Sequence, residues 1–152
     1  MNYRKAQIKD AEAVTNIVQR TKAEIYPNYY PKEVVDFFGQ IHCQEHVVRD
    51  IQKNAVFLLE IDGIPVGTGC YEENHITRVY VLPEYQGKGY GKYILKELEK
   101  KIAETYDCIY LDASLPACRF YEKSGYQTIR HEEWACNNGA VLVYDVMEKK
   151  LG

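Results

Sequence analysis

Two periodicities divide the chain. Up to about residue 53 the apolar positions recur at helical spacing, and beyond it they mostly alternate. Tyr3–Ile8 reads as a short strand, and Asp10 stands where a helix N-cap belongs. From there Ala13, Ile17 and Val18 share one face, with Lys22 and Glu24 turned away from it. A helix is therefore expected to about Tyr26, with Pro27 as its stop. The loop Tyr26-Pro-Asn-Tyr-Tyr-Pro31 follows, and helix resumes near Lys32–Gln40 and again near Gln44–Lys53. Ala55–Ile61 and Ile64–Tyr71 then read as strands joined by an Asp62-Gly63 hairpin turn.

After a turn at Glu72-Glu73-Asn74, the β-branched run His75–Leu82 predicts another strand, closed by Pro83. A glycine-rich loop leads into a helix from about Gly89 to Thr105, with Gly91, Leu95, Leu98 and Ile102 on its buried face. Cys108–Ala113 is a strand, Pro116–Lys123 a short helix closed at Gly125, and Tyr126–Cys136 with Ala140–Met147 a last hairpin around Asn137-Asn138-Gly139. The order is β-αα-βββ-α-β-α-ββ, which predicts an α/β (α+β) fold: one mixed sheet covered by helices on both faces.

At 152 residues, with no repeat or linker, residues 1–152 are expected to form a single domain. A chain of that length can bury ~70% of its unfolded surface without a metal or disulfide staple. The net charge of −3 argues against a nucleic-acid binder. No apolar run exceeds five residues, so no membrane span is expected, and the first ten residues lack the apolar core of an export signal. With five scattered cysteines, the expectation is free thiols in the cytoplasm. Fourteen Tyr against four Phe predicts that some phenols line a wet cavity.

The densest chemistry is Gln86-Gly87-Lys88-Gly89-Tyr90-Gly91-Lys92, between a predicted strand and a predicted helix. Unpartnered amides and the dipole at a helix N-terminus attract anions, and glycines let the backbone approach them. Lys88 and Lys92 fall in a first turn, where a cation opposes the dipole unless an anion is near. Lys96 and Lys100 continue that spacing as a solvated face. A P-loop needs Ser or Thr after its Lys, and Tyr93 stands there. A dinucleotide loop needs G-x-G-x-x-G, and these glycines run G-x-G-x-G. Both are rejected.

The remaining pattern, Q-x-x-G-x-G after the strand ITRVYVLPEY, resembles the GNAT superfamily of N-acetyltransferases, as does the block LDASLPACRFYEKSGY from Leu111 to Tyr126. In that block Ala117, Tyr121, Glu122, Lys123, Gly125 and Tyr126 follow the family's wording, while Ser114 replaces its usual asparagine. The order of elements also resembles the family's from Tyr3 to Lys150, which implies a mixed, mostly antiparallel seven-stranded sheet.

The resemblance implies acetyl-coenzyme A as co-substrate, no metal, and direct transfer to a primary amine. It places pyrophosphate on Gln86, Gly87, Lys88, Gly89, Tyr90, Gly91 and Lys92, and the pantetheine arm along Val79, Tyr80 and Val81 with Ser114 and Tyr121 beside it. The Val81 amide would polarise the thioester carbonyl. Tyr121 would be the general acid toward sulfur, and His75 the base, with Glu73 and Glu72 as alternatives. The acceptor, a small amine or a peptide amine, would enter among Tyr26, Tyr29, Tyr30 and Trp134, with Glu24, Glu132 and Glu133 to steer a cation. The resemblance also allows a homodimer. The alternative on the same fold is an acyl-coenzyme A binding or sensing module without turnover.

Two other stretches carry metal-ligating residue types. His42-Cys43-Gln44-Glu45-His46 has the H-x-x-E-H spacing of a zinc protease but lacks a third ligand on a downstream helix. His131, Glu132 and Glu133 sit in a predicted strand, where alternation separates their side chains. Neither predicts a metal.

Overall fold

The computed structural model describes residues 1–41, 44–136, 139 and 141–151, and for residues 38–41 the backbone course only. Strand β1 (Asn2–Lys5) leads to helices α1 (Ala11–Ile25), α2 (Lys32–Ile41) and α3 (Gln44–Gln52). Strands β2 (Val56–Ile61), β3 (Ile64–Glu72) and β4 (His75–Val81) follow, then α4 (Tyr90–Ala103), β5 (Cys108–Ala113), α5 (Cys118–Lys123), β6 (Gln127–Ala135) and β7 (Val141–Lys150). The sheet runs β1-β2-β3-β4-β5-β7-β6, and only β4 and β5 pair in parallel.

Alternation sends the two sides of each strand to different cores. Leu59, Val81, Leu111 and Met147 meet Ile94, Leu95, Leu98 and Ile102 of α4 and Tyr121 of α5. On the opposite face Val56, Leu58 and Cys70 meet Val14 and Ile17 of α1 and Val47 and Ile51 of α3. A third cluster joins Tyr26, Tyr30, Val34 and Phe37 to Leu142 and Cys136.

Gly67 and Gly69 let α4 come close. A Cβ on Gly69 would lie 2.6 Å from Ile94 Cγ2, and one on Gly67 2.8 Å from Ile94 Cδ1.

Three expectations change. Asp10 does begin α1, but its carboxylate turns back to the Gln7 N–H (2.8 Å) and to Arg4 (2.8 and 2.9 Å) instead of capping the helix. That pairing holds the Asp10 carboxyl down at about 2. Lys22, expected to face away from the core, is only 2% exposed. Helix α1 packs against α2 and α3 as well as the sheet, so a flank outside its apolar stripe is covered too. Burial, with Arg78 nearby, pushes the Lys22 amine down to about 6. Finally, β1 stops at Lys5 and β7 continues to Lys150, because Asp107 to Ala113 supply a partner along the whole of β7's second half.

Among the described residues no helix is long and apolar enough to cross a membrane. Nor are any three His, Cys, Asp or Glu side chains among them placed to hold a metal. His42 and Cys43 of the H-x-x-E-H spacing lie outside the described residues, as do Asn137 and Asn138 of the last turn.

Candidate active site

The site begins as a fault in the sheet. Strand β4 pairs with β5 only at His75↔Tyr110 and Ile76↔Leu111, then departs from it. On its other edge the register steps from Tyr71↔Ile76 to Cys70↔Arg78, so Thr77 is an extra residue, a β-bulge at the point of departure. A bulge bends its strand and increases its twist, which turns β4 away from β5.

The parting exposes backbone. Leu82 N–H donates to Val66 O at 2.8 Å, which makes Gly67↔Val81 and Gly69↔Val79 the pairs without mutual hydrogen bonds. The amides of Val79 and Val81 therefore face the opening. The Val81 carbonyl is occupied, accepting Gln86 Nε2 at 2.9 Å and Thr21 Oγ1 at 3.3 Å. Gln86 thus ties the glycine loop to the end of β4.

The loop delivers the second half of the site. Gly87 and Gly89 have φ of +80° and +85°, which disfavours any side chain, and Gly89 is the residue that starts α4. A Cβ on either would meet nothing within 4 Å, so the space above the loop is left for something outside the chain. Tyr93 N–H makes the bond to Gly89 O, leaving the first-turn amides of α4 pointing outward. That geometry, with the Lys92 ammonium on the cleft, fits a pyrophosphate.

A cleft of about 870 Å³ runs from this loop through the parted strands to His75, Asp112, Tyr144 and Trp134. Tyr121 lines it from α5, its ring edge-on to Phe120 and Tyr126 and its hydroxyl bonded to no described residue. Burial raises the Tyr121 pKa, so the phenol keeps its proton. His75 stacks on Tyr110 at 4.6 Å, and its buried Nε2 makes no hydrogen bond, lying 3.6 Å from Asp112 Oδ2. Burial lowers the His75 pKa against the pull of the Asp112 and Glu72 carboxylates, so the ring is neutral at neutral pH.

Not every expected residue arrives. Val79, Tyr80, Val81, Gln86, Gly87, Gly89, Tyr90, Gly91, Lys92, Ser114 and Tyr121 all line the cleft, as do His75, Tyr26 and Trp134. Lys88 stands outside it, its ammonium 5.5 Å over the Tyr85 ring. Glu73 sits exposed at the turn tip with φ 55°, away from the cleft, and Glu72 pairs with Lys53 at 3.7 Å. Tyr29 is exposed and off the cleft wall. Tyr30 is buried as a clamp, accepting from Leu115 N–H at 2.7 Å and donating to Val143 O at 3.4 Å. Asp112 was missed, although the alternation of β5 already put Tyr110 and Asp112 on its exposed face.

The chain matches the family described as Acetyltransferase (GNAT) domain over residues 25–151, and it belongs to that family. One curated relative, the uncharacterized N-acetyltransferase YafP of Escherichia coli (strain K12), is 27% identical over 136 residues, which cover 90% of this chain and 87% of the relative. A shorter stretch of 57 residues, 34% of this chain and 38% of the other, is 40% identical to a spermine/spermidine N(1)-acetyltransferase of Bacillus subtilis (strain 168). Among solved structures, a GCN5-related N-acetyltransferase from Rhodopseudomonas palustris superposes with a TM-score of 0.91 at 24% identity, over 99% of this chain and 95% of that one. The PaiA N-acetyltransferase of Thermoplasma acidophilum, solved with coenzyme A, gives 0.77 at 22% identity over 98% of each chain. At these identities the structures establish a common fold.

Proposed function

We propose that this protein transfers an acetyl group from acetyl-coenzyme A to a primary amine, the amine attacking directly while both substrates are bound. The observation that carries the reading is the parting of β4 from β5 directly upstream of the positive-φ glycine loop at the α4 N-terminus. One feature offers strand-like hydrogen bonds to an extended amide-containing arm, and the other offers amides to its phosphates. Coenzyme A of a PaiA acetyltransferase, a protein of the same fold, has both chemical parts.

When bound, acetyl-coenzyme A supplies a thioester whose carbonyl carbon is the electrophile. The loop amides and Lys92 hold the phosphates. The Val79 and Val81 amides pair with the arm and polarise the carbonyl, a donor arrangement fixed before reaction. His75, neutral and poised beside Asp112, takes a proton from the arriving ammonium, and Tyr121 gives one to the departing sulfur. The acceptor end is aromatic, with Trp134 edge-on to Phe37 at 5.4 Å, and it holds the Asp112 carboxylate. That suits a cationic amine, and the partial similarity to an acetyltransferase of spermine and spermidine supports the same class.

Release of free thiol from acetyl-coenzyme A, followed across a panel of polyamines, monoamines and peptides, tests the reading. Amine-dependent release supports it. Tight coenzyme A binding without release to any amine would leave a binding module in its place.

A further inference from the structure

The Tyr121 hydroxyl meets no hydrogen-bond partner among the described residues, so the direction of that phenol is set by what holds its ring and its backbone. The element that carries it is small. Helix α5 is six residues long, and the chain turns away from it at Gly125, with φ of +98°. Tyr126 grips Tyr121 twice. Its N–H donates to Tyr121 O at 3.0 Å, and its ring stands edge-on to the Tyr121 ring with the centroids 5.6 Å apart.

Tyr126 is anchored in turn. Its hydroxyl donates to Glu99 Oε2 of α4 at 2.8 Å. Lys149 of β7 holds the same carboxylate at 3.1 and 3.3 Å, and its ammonium also donates to Ser124 O, at the C-terminus of α5, at 2.9 Å. The Lys149 stem crosses directly over Gly125, where a Cβ would lie 3.3 Å from Lys149 Cε. One carboxylate thus joins the helix that starts at the phosphate seat, the turn that closes α5, and the last turns of β7. Tyr126, Glu99 and Lys149 all lie off the cleft wall.

Apolar side chains would fill this place at a smaller cost in desolvation. The Glu99 and Lys149 side chains are only 13% and 28% exposed, and an ion pair so covered often stabilises a fold no more than apolar packing of the same volume. What it adds is geometry, because a hydrogen bond fixes a distance and an angle where an apolar contact tolerates sliding. Burial, and then the Glu99 carboxylate, raises the Tyr126 pKa, so the phenol keeps the proton that it donates.

Resting on the acetyltransferase reading with Tyr121 as its acid, we propose that Tyr126, anchored on Glu99 and Lys149, is a positioning residue that aims the Tyr121 hydroxyl at the departing sulfur. Aim matters because a catalytic group misplaced by ~1 Å can cost ~10²-fold in rate.

The test is a double-mutant cycle in kcat, read as thiol release at saturating amine. Tyr126→Phe keeps the ring and loses only the bond to Glu99. It should lower kcat ~3- to 10-fold, less than removal of the Tyr121 hydroxyl itself, with amine KM and coenzyme A affinity unchanged. In a Tyr121→Phe background the same change should cost less than ~2-fold, because a ring with no proton to deliver gains nothing from being aimed. Glu99→Gln keeps an acceptor for Tyr126 and gives up the ion pair, so it should melt below the parent yet hold kcat within ~2-fold of it. A parent-like kcat in Tyr126→Phe, an equal loss in both backgrounds, a loss carried by KM or coenzyme A affinity, or a Glu99→Gln variant as slow as Tyr126→Phe each overturns the positioning role and leaves Tyr121 as the acid. A parent rate in Tyr121→Phe alone overturns the acid and the positioning role together while the transferase stands. A parent that binds coenzyme A and acetylates no amine overturns all three.

Discussion

Placing a methyl group on Gly69 tests whether the close seating of α4 on β3 sets up the phosphate end of the cleft. The new Cβ would lie 2.6 Å from Ile94 Cγ2 and 3.0 Å from Leu98 Cδ1. Carbon atoms prefer separations of about 3.5–4.0 Å, so α4 has to move out or the isoleucine has to leave its rotamer. Overpacking of this kind costs about 1–3 kcal/mol, and at about 2–4 °C per kcal/mol for a chain of this size Gly69→Ala should melt several degrees lower. The helix that moves is the one whose first amides face the cleft, so coenzyme A should also bind more weakly.

A double-mutant cycle separates overlap from any general intolerance of Gly69. Ile94→Ala alone leaves a cavity and costs about 2–5 kcal/mol. Combined with Gly69→Ala, it removes the nearer clashing atom and gives the new methyl a place, so the double variant should be more stable than the sum of the singles by about 1 kcal/mol or more. Thermal and urea unfolding supply the energies, and calorimetry the coenzyme A affinities. Additive energies would refute the steric account. A full loss of stability with parent affinity for coenzyme A would sever the link between the close approach and the phosphate seat.

Four other perturbations probe the site. Gly89→Glu should abolish coenzyme A binding in a folded protein, because a left-handed position with open space above it acquires a side chain and a negative charge where the phosphates belong; calorimetry showing parent affinity would remove that assignment. Tyr121→Phe should lower kcat at least ~10-fold with the fold intact, and a parent rate would make that phenol packing alone. His75→Ala should displace the acidic limb of the pH–rate profile. Burial depresses the His75 pKa, so in the parent the ring loses activity only as pH falls below the ordinary histidine range, and an unmoved limb in the variant would place the base elsewhere. Trp134→Ala should raise the amine KM and spare coenzyme A affinity, since Trp134 lies at the acceptor end, and a loss on the coenzyme A side would mean the cleft is oriented the other way.

What could be read from the sequence was chemistry confined to one stretch of chain. The glycine loop and the start of α4 lie within seven residues, so their capping logic needs no knowledge of the rest. Strand β5 is equally plain, Cys108–Ala113 in sequence pattern and structure alike, because its alternation is clean and both ends are bounded. The bulge at Thr77 left no trace, since Ile76-Thr-Arg-Val-Tyr-Val81 is a regular β-branched run whose irregularity arises only against β3. Lys22 is buried despite its charge because its exposure depends on what α2 and α3 cover, which no local pattern carries. Tyrosine content pointed to a cavity walled by phenols, and Tyr26, Tyr80, Tyr90, Tyr121 and Tyr144 do line the cleft, but composition could not sort the members. Tyr29 faces out, Tyr30 ties the Leu115 amide to β7, and Tyr26 reaches into the gap, although all three belong to one short loop.

The parting of β4 and β5 would be a defect in most sheets, since unpaired amides beside apolar side chains are costly. Here the surroundings contain it from both ends. Upstream, His75 and Ile76 keep their pairing with β5, so the sheet stays continuous below the bulge. Downstream, Gln86 and Thr21 satisfy the Val81 carbonyl, and the loop they anchor turns directly into α4. Between these ends Tyr26 bonds across the gap, which holds its two sides at a fixed separation without closing them. The groups left facing the opening are the Val79 N–H and C=O, the Val81 N–H and the first amides of α4. A cleft that offers both N–H and C=O along β4 and only N–H groups at the start of α4 suits an extended amide arm that ends in phosphates, and that fit follows from the placement of one extra residue at Thr77 and two left-handed glycines at Gly87 and Gly89.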